Sequence, residues 1–166
     1  MDIAVQLEPN RGAPPAVAYR WDTDTDILTA RLDGSADGTG ASGSVEVESS
    51  DGAWLILDVV KGRIFGLEVA VWPDVSRRAA LSPPPSVEDA HVLVPMDATH
   101  PGVGLLEIET TLLAESDEAE QVVHFRLGGA RGVRTVRLGR DFLIDLDPQS
   151  RIAGLWLLNV PPFPPT

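Results

Sequence analysis

Apolar residues recur at every second position along much of this chain, which is the pattern of a β-strand with one buried face. Ile3, Val5 and Leu7 follow it near the N-terminus, and "VEVES" from Val45 repeats it. Further short apolar runs lie at residues 16–21, 27–32, 54–60, 64–72, 91–94, 105–113, 121–127, 133–138, 141–147 and 152–160. No segment sustains the 3.6-residue apolar period of an amphipathic helix, so the sequence predicts an all-β fold.

Local signals predict how these strands are connected. The apolar runs on either side of Lys61-Gly62 predict a tight hairpin. Three consecutive prolines in "SPPPS", which begins at Ser82, lack backbone N–H donors and cannot belong to a central strand. Residues 76–90 are therefore predicted to form a Pro-rich linker, and the tail "PPFPPT", residues 161–166, to lie extended on the surface.

A near-repeat of sequence predicts an internal duplication. "RIFGLEV" begins at Arg63 and "RIAGLWL" begins at Arg151, an offset of 88 positions without a gap, and upstream Arg31 matches Arg126 at an offset of 95. We interpret residues 1–75 as the first β repeat and residues 91–160 as the second.

Each repeat is marginal in size for a core of its own. We therefore expect two antiparallel meander repeats that share one core, packed as a pseudo-two-fold β-sandwich or a partly closed barrel. Each copy also carries a glycine inside a strand, Gly66 or Gly154. Because glycine weakens a strand interior, these positions predict a β-bulge or a close approach of two backbones.

The first repeat resembles a known family. Tyr19, the acidic turn "DTDTD", the run "ILTARL" and the later "WLILDVVKGRIFGLEV" together resemble the DUF2283 group of small bacterial proteins. The second repeat departs from this pattern, with Ala114 in place of the tyrosine, Asp145 inside the apolar strand and Trp156 at the position of Glu68. The resemblance implies a β meander and supplies no catalytic residues, because the function of that group is uncharacterised.

Composition narrows the range of functions. The formal net charge is −12, from 25 acidic and 13 basic residues, and such a surface repels nucleic acids and anionic lipid. No stretch approaches the about 20 apolar residues of a membrane span. The second residue is an acid, Asp2, in a region where an export signal has basic residues, so we expect a cytoplasmic protein. The absence of cysteine excludes disulfides, thiolate nucleophiles and cysteine-ligated metals.

One acidic segment has part of the spacing of a calcium-binding loop. Asp22, Asp24, Asp26 and Asp33 occupy positions 1, 3, 5 and 12 of such a loop, but Ile27 replaces the glycine required at position 6. These four aspartates are the weak candidate for a metal site. A solvated hairpin turn is the favoured interpretation, and we expect neither a metal nor a cofactor.

Enzyme motifs are absent from the sequence. The chain contains no G-x-S-x-G element and no phosphate-binding glycine loop ending in Lys-Ser or Lys-Thr. The histidines, His91, His100 and His124, form no closely spaced pair. A metal site assembled from distant histidines and carboxylates stays open as an alternative. Whether the protein is an enzyme is uncertain, and the absence of motifs favours a protein without catalytic activity.

Aromatic and charged residues supply the remaining candidates. The candidates for lining a ligand pocket, if they are not all core residues, are Trp21, Trp54, Trp72 and Trp156.

An arginine-rich window without acids spans residues 126–140, whereas the matching strand of the first repeat is acidic. We expect the strand at residues 133–138 to lie near an acidic surface, either "VEVES" of the same chain or a symmetric mate. The partner-binding candidates are Arg126, Arg134, Arg137, Glu46 and Glu48.

These observations leave two functional hypotheses. The first is a non-catalytic interaction module that binds a protein partner or a second copy of itself through a sheet edge or face. The alternative is a small-ligand-binding or enzymatic β-barrel with a tryptophan-lined cavity. A deep apolar pocket with converging polar groups favours the alternative, and a shallow surface with an unpaired strand edge favours the first hypothesis.

Overall fold

A computed structural model describes residues 3–34, 38–95, 103–129 and 131–164, which form fourteen β-strands and no helix. The expected all-β class is confirmed. The strands are β1 (Gln6–Pro9), β2 (Val17–Asp22), β3 (Ile27–Leu32), β4 (Ser42–Glu48), β5 (Trp54–Val60), β6 (Arg63–Val71), β7 (Val75–Arg77), β8 (Glu88–Leu93), β9 (Val103–Glu109), β10 (Leu112–Ser116), β11 (Val123–Leu127), β12 (Arg134–Gly139), β13 (Phe142–Leu146) and β14 (Ile152–Leu157).

Hydrogen bonding joins these strands into one curled sheet that contains two antiparallel five-stranded units of the same strand order. Each unit is called a meander below, although its second strand pairs with its fifth strand rather than with its third. The first meander has the order β2-β3-β6-β5-β4. The second has the order β10-β11-β14-β13-β12. The shared order agrees with a duplication, while the pseudo-two-fold relation of the halves stays a prediction.

The remaining strands connect the two meanders. β8 pairs in parallel with β12, antiparallel with β1, and through one residue pair with β6. β9 follows the linker in sequence but pairs in parallel with β4 of the first meander. β7 follows the first meander but pairs in parallel with β10 of the second. Strand pairing therefore crosses the boundaries expected at residues 75 and 91.

Two sequence predictions about strand limits are wrong. The expected linker at residues 76–90 contains the end of β7 and the start of β8, so its irregular part is confined to residues 78–87. The single strand expected at residues 105–113 is two strands, because strand pairing is interrupted at Thr110-Thr111. The Thr110 N–H donates to the Glu48 carbonyl in one meander, and the Thr111 carbonyl accepts from the Gly128 N–H in the other.

One hydrophobic core serves both meanders. Leu28, Leu57 and Val69 of the first meander belong to the same buried cluster as Phe125 and Ile144 of the second. The alternating burial of β3 and β5 follows the period-two pattern of the sequence. β13 and β14 are buried on both faces, so they form the most enclosed part of the sheet.

The hairpin predicted at Lys61-Gly62 is confirmed. Lys61 has a φ of 52° and Gly62 a φ of 83°. Positive φ at both central residues is the geometry of the two-residue turn that matches the twist of antiparallel strands.

The role expected for the two strand glycines is also confirmed. A Cβ at Gly66 would lie 2.9 Å from the Ala30 carbonyl oxygen, and a Cβ at Gly154 would lie 2.8 Å from that of Phe125. Immediately before each glycine the register shifts by one residue, between Asp58 and Val59 in one meander and between Asp145 and Leu146 in the other. Each glycine thus combines a bulge with a close approach.

Strand pairing corrects the sequence alignment of the two repeats. Asp58 lies opposite Gly66, and Asp145 lies opposite Gly154. The two aspartates are 87 positions apart, whereas the two glycines are 88 apart. The turn after Asp145 is one residue longer, so the gapless alignment was wrong over β13. Asp145 therefore occupies the position that Asp58 has in the first meander, and it is not an isolated acid in an otherwise apolar strand.

We predict that alanine at either strand glycine lowers the free energy of unfolding by about 1 to 3 kcal/mol, because the new methyl group overpacks against a fixed carbonyl. Gly154→Ala has the larger effect, since the methyl would also press on the side chains of Asp145 and His124. Gly129→Ala is the matched control, because nothing lies within 4 Å of its Cβ position. Urea unfolding measures the differences. Equal stability of Gly154→Ala and Gly129→Ala would contradict the close approach.

Candidate functional site

An aromatic cleft lies where the first meander meets the end of the chain. The rings of Trp21 and Trp72 stack with centroids 5.8 Å apart and planes inclined by 20°. Phe163 places its edge on Trp21 at 5.1 Å, and Trp72 contacts Phe125 of the core at 5.7 Å. The structure thus brings together two of the four tryptophans expected to line a pocket.

Backbone carbonyls hold both indoles in place. The Nε1–H of Trp21 donates to the Pro161 carbonyl at 2.9 Å, and that of Trp72 donates to the Asp26 carbonyl at 2.9 Å. The Tyr19 hydroxyl donates to the Leu158 carbonyl at 2.7 Å, and burial raises the pKa of this phenol above its usual value. The bonds of Trp21 and Tyr19 fix the C-terminal segment against β2, and the bond of Trp72 fixes its ring against the turn between β2 and β3, so the fold itself holds both tryptophan rings in place.

The cleft has a volume of about 300 Å³ and is mostly apolar inside. Val75 and Phe163 are 42% and 40% exposed there, which is high for large apolar side chains. Polar groups lie around them: Arg77 forms an ion pair with Glu120, and Asp26 lines the cleft beside Trp72.

The other two tryptophans lie elsewhere. Trp54 begins β5, between Glu48 of β4 and Val71 of β6, and its buried Nε1 has no hydrogen-bond partner among the described residues. Trp156 lies on β14, where its ring stacks under His124 with centroids 3.9 Å apart and planes inclined by 15°.

A buried carboxylate organises this second aromatic group. Asp145, on β13, accepts hydrogen bonds from Thr135 Oγ1 at 2.8 Å and from Trp156 Nε1 at 3.0 Å. His124 Nε2 lies 2.9 Å from Asp145 Oδ2. Burying a carboxylate is costly unless its oxygens are hydrogen-bonded, and here three side chains from three other strands satisfy it.

Gly154 makes this arrangement possible. It lies on β14 between β11 and β13, directly opposite both Arg126 and Asp145. A Cβ there would lie 2.9 Å from Asp145 Oδ2 and 3.0 Å from His124 Nε2. The missing side chain therefore leaves the space across which Asp145 and His124 meet.

Sequence reasoning missed this group because its members come from four strands and no two are close in sequence. The one available signal was the Asp58-Gly66 pair of the first meander. Had the repeats been aligned with a one-residue longer turn, Asp145 would have matched Asp58 as a recurring acid opposite a glycine.

A surface groove of about 350 Å³ opens beside this group. His124 and Trp156 line it, together with Arg126, which lies two residues after His124 on the same face of β11. Glu115 lies directly opposite His124 on β10 and forms an ion pair with Arg78 at 3.2 Å. Of the partner-binding candidates, Arg126 lies at this groove, whereas Glu46 and Glu48 line a separate one together with Glu107 and Glu109.

The candidate calcium loop does not assemble. Asp24 N–H donates to the side chain of Asp22, and Asp26 N–H donates to the Asp22 carbonyl, which are the bonds of a tight turn between β2 and β3. Asp33 follows the far end of β3, about 20 Å away for a six-residue strand. Within the described ranges no three His, Asp or Glu side chains converge as metal ligands.

The charged candidates do not form the contact that the sequence predicted inside this chain. Arg134 forms an ion pair with Glu88, and Arg137 pairs with Asp89 at 2.6 Å, so the acidic neighbour of β12 is β8. The expected contact with "VEVES" of the same chain is therefore wrong. Glu46 and Glu48 instead lie beside Glu107 and Glu109 on the parallel pair β4–β9.

The chain matches no protein-family model and no curated protein. The resemblance to the DUF2283 group therefore stays a prediction. Among the described residues there is no helix with the length and apolar character needed to cross a bilayer. His100 lies outside the described residues.

The turn that follows Asp145 is held by a second buried acid. Asp147 accepts hydrogen bonds from the backbone N–H groups of Gln149 and Arg151, both at 2.9 Å, and from Arg151 Nε at 2.8 Å. Burial alone would raise the pKa of Asp147, but these donors together hold the pKa below its ordinary value. The stabilisation is therefore complete above the ordinary carboxyl pKa and is lost as the pH falls through the lower, folded-state pKa.

We predict that Asp147→Asn lowers the urea midpoint of unfolding at neutral pH, because it removes the charge that Arg151 and the turn amides stabilise. The gap between the variant and the natural protein narrows as the medium is acidified below about pH 4. Glu118→Gln, a change at an exposed acid, is the control. A gap of constant size across this pH range would show that Asp147 contributes by packing alone.

Proposed function

We propose that this protein is a non-catalytic binding protein that takes a small, flat, mostly apolar molecule in the aromatic cleft. The observation that carries the proposal is the stacked pair Trp21 and Trp72, whose N–H groups are already committed to backbone carbonyls. Rings fixed in this way offer contact area at little cost in conformational entropy.

The size and rim of the cleft support a ligand of one or two fused rings. A volume of about 300 Å³ is at the lower end of the range for small-molecule pockets. Arg77 is already paired with Glu120, which suits orienting a ligand's polar edge better than acid–base chemistry. This proposal develops the second of the two hypotheses, the tryptophan-lined cavity, without an enzymatic role.

A second candidate function is the interaction module, and the observation that favours it is the acidic edge of the sheet. β9 is the last strand on the β4 side of the sheet, and Glu46 and Glu48 lie next to Glu107 and Glu109 across this pair. None of these glutamates has an ion-pair partner among the described residues. A basic strand of a protein partner, or of a second copy, would relieve this like-charge repulsion.

Bacterial origin, membership of the DUF2283 group and a cytoplasmic location are likewise proposals.

We predict that indole binds in the cleft and that Phe163→Ala weakens its binding several-fold, because Phe163 covers one side of the ring site and is partly exposed. Titration of the labelled full chain, followed by the indole N–H signals of Trp21 and Trp72 in nuclear magnetic resonance (NMR) spectra, measures the dissociation constant.

Val133→Ala is the matched control, because Val133 is an apolar side chain, 61% exposed, that does not line the cleft. It should leave indole binding and the Trp signals unchanged. If indole at millimolar concentration moves neither tryptophan signal, or if Phe163→Ala binds indole as tightly as Val133→Ala, the cleft is not the binding site.

A further inference from the structure

The groove beside His124 combines groups that no part of the aromatic cleft provides. Glu115, His124 and Trp156 form one cross-strand row on the outer face of β10, β11 and β14. Arg126 lies one step along β11 on that same face. The segment that follows β7 forms the opposite wall through Leu81 and its neighbours.

Asp145 determines which nitrogen of His124 carries the proton. Thr135 Oγ1 and Trp156 Nε1 donate to Asp145, and an ionised carboxylate can only accept. His124 Nε2 must therefore donate to Asp145 as well. In neutral histidine the other nitrogen, Nδ1, then carries a lone pair and accepts hydrogen bonds. Nδ1 has no hydrogen-bond partner among the described residues and is not sealed from solvent.

Arg126 supplies a positive charge next to this acceptor. Its side chain is exposed, and within the described part of the chain no carboxylate forms an ion pair with it. Arg78, across the groove, is engaged by Glu115 at 3.2 Å. A ligand that fits both groups carries a negative charge for Arg126 and a hydrogen-bond donor for His124.

We propose that this groove binds hydrogen phosphate, with its anionic oxygens on the Arg126 guanidinium and its O–H donated to Nδ1 of His124. Arginine recognises the oxygens of a phosphate by paired, charge-assisted hydrogen bonds. Sulfate has the same shape and charge but no O–H, and it would place an oxygen against the His124 lone pair. The site therefore prefers phosphate to sulfate. This inference is independent of the function proposed for the aromatic cleft.

The first meander contains a natural control for the site. Arg31 lies opposite Gly66 as Arg126 lies opposite Gly154. Beside Arg31, however, the place of His124 is taken by Thr29, which lies opposite Glu68. The first meander thus presents an arginine without the fixed acceptor and next to an additional acid.

The test is calorimetric titration of the full chain with phosphate and with sulfate at equal ionic strength and at about pH 8, where a free phosphate keeps one O–H and a phosphate monoester keeps none. Phosphate is expected to bind about tenfold or more tightly than sulfate, which is the effect of one hydrogen bond to a charged group. Methyl phosphate, which lacks the O–H at this pH, should bind as weakly as sulfate and so distinguishes free phosphate from a monoester.

Four variants separate the contributions of the groups. His124→Phe keeps a ring on Trp156 but removes the acceptor, so the preference for phosphate disappears. Arg126→Gln weakens the binding of both anions, whereas Arg31→Gln changes neither. Asp145 acts as a positioning residue: Asp145→Asn offers an N–H to Nε2 and moves the histidine proton to Nδ1, which can then donate to either anion, so the preference for phosphate disappears.

Circular dichroism shows whether each variant is folded. The two single variants His124→Phe and Arg126→Gln decide the question even if Asp145→Asn does not fold. The proposal is overturned if the natural protein binds the two anions equally or binds neither. It is also overturned if His124→Phe keeps the preference, or if Arg31→Gln weakens phosphate binding as much as Arg126→Gln.

Discussion

At Gly154 the carbonyl oxygen of Phe125 lies 2.8 Å from the point that a Cβ would occupy, and at Gly66 the Ala30 carbonyl repeats this approach at 2.9 Å. Only glycine tolerates such spacing, because real Cβ atoms do not approach a backbone oxygen so closely. The bulge before each glycine and the aspartate opposite it depend on this one steric constraint. In the second meander the open space is filled by the contact of Asp145 with His124.

The two meanders share a strand order but differ in what they build on it. In the first, Asp58 lies opposite Gly66, with Ser44 beside it on β4. In the second, the corresponding positions hold Asp145 and Thr135, and a stacked His124–Trp156 pair lies next to them. Because β13 and β14 are buried on both faces, the carboxylate of Asp145 is stable there only when its oxygens are hydrogen-bonded. The acid opposite the strand glycine thus organises a polar site in the second meander, where Thr135, Trp156 and His124 contact it.

Much of the fold could be predicted from local pattern. Period-two burial along β5 and the turn at Lys61-Gly62 follow from side-chain size and backbone freedom within a few residues. β7, only three residues long, gave no periodic signal, and nothing local marks β9 as the partner of β4. The His124–Asp145 contact joins residues 21 positions apart in sequence, through a third strand and across a gap left by Gly154. Because the His124–Asp145 contact depends on strand register, a one-residue difference in the length of the turn after Asp145 was enough to hide it from the gapless alignment.

The central claim is that the gap at Gly154 lets Asp145 fix the proton of His124 on Nε2. The most direct measurement is the nitrogen-15 NMR spectrum of the His124 ring in the natural protein, at a pH where the ring is neutral. The account predicts a protonated Nε2 with a pyridine-like Nδ1. A spectrum showing a protonated Nδ1, or two nitrogens with averaged shifts as in a free imidazole, would contradict it.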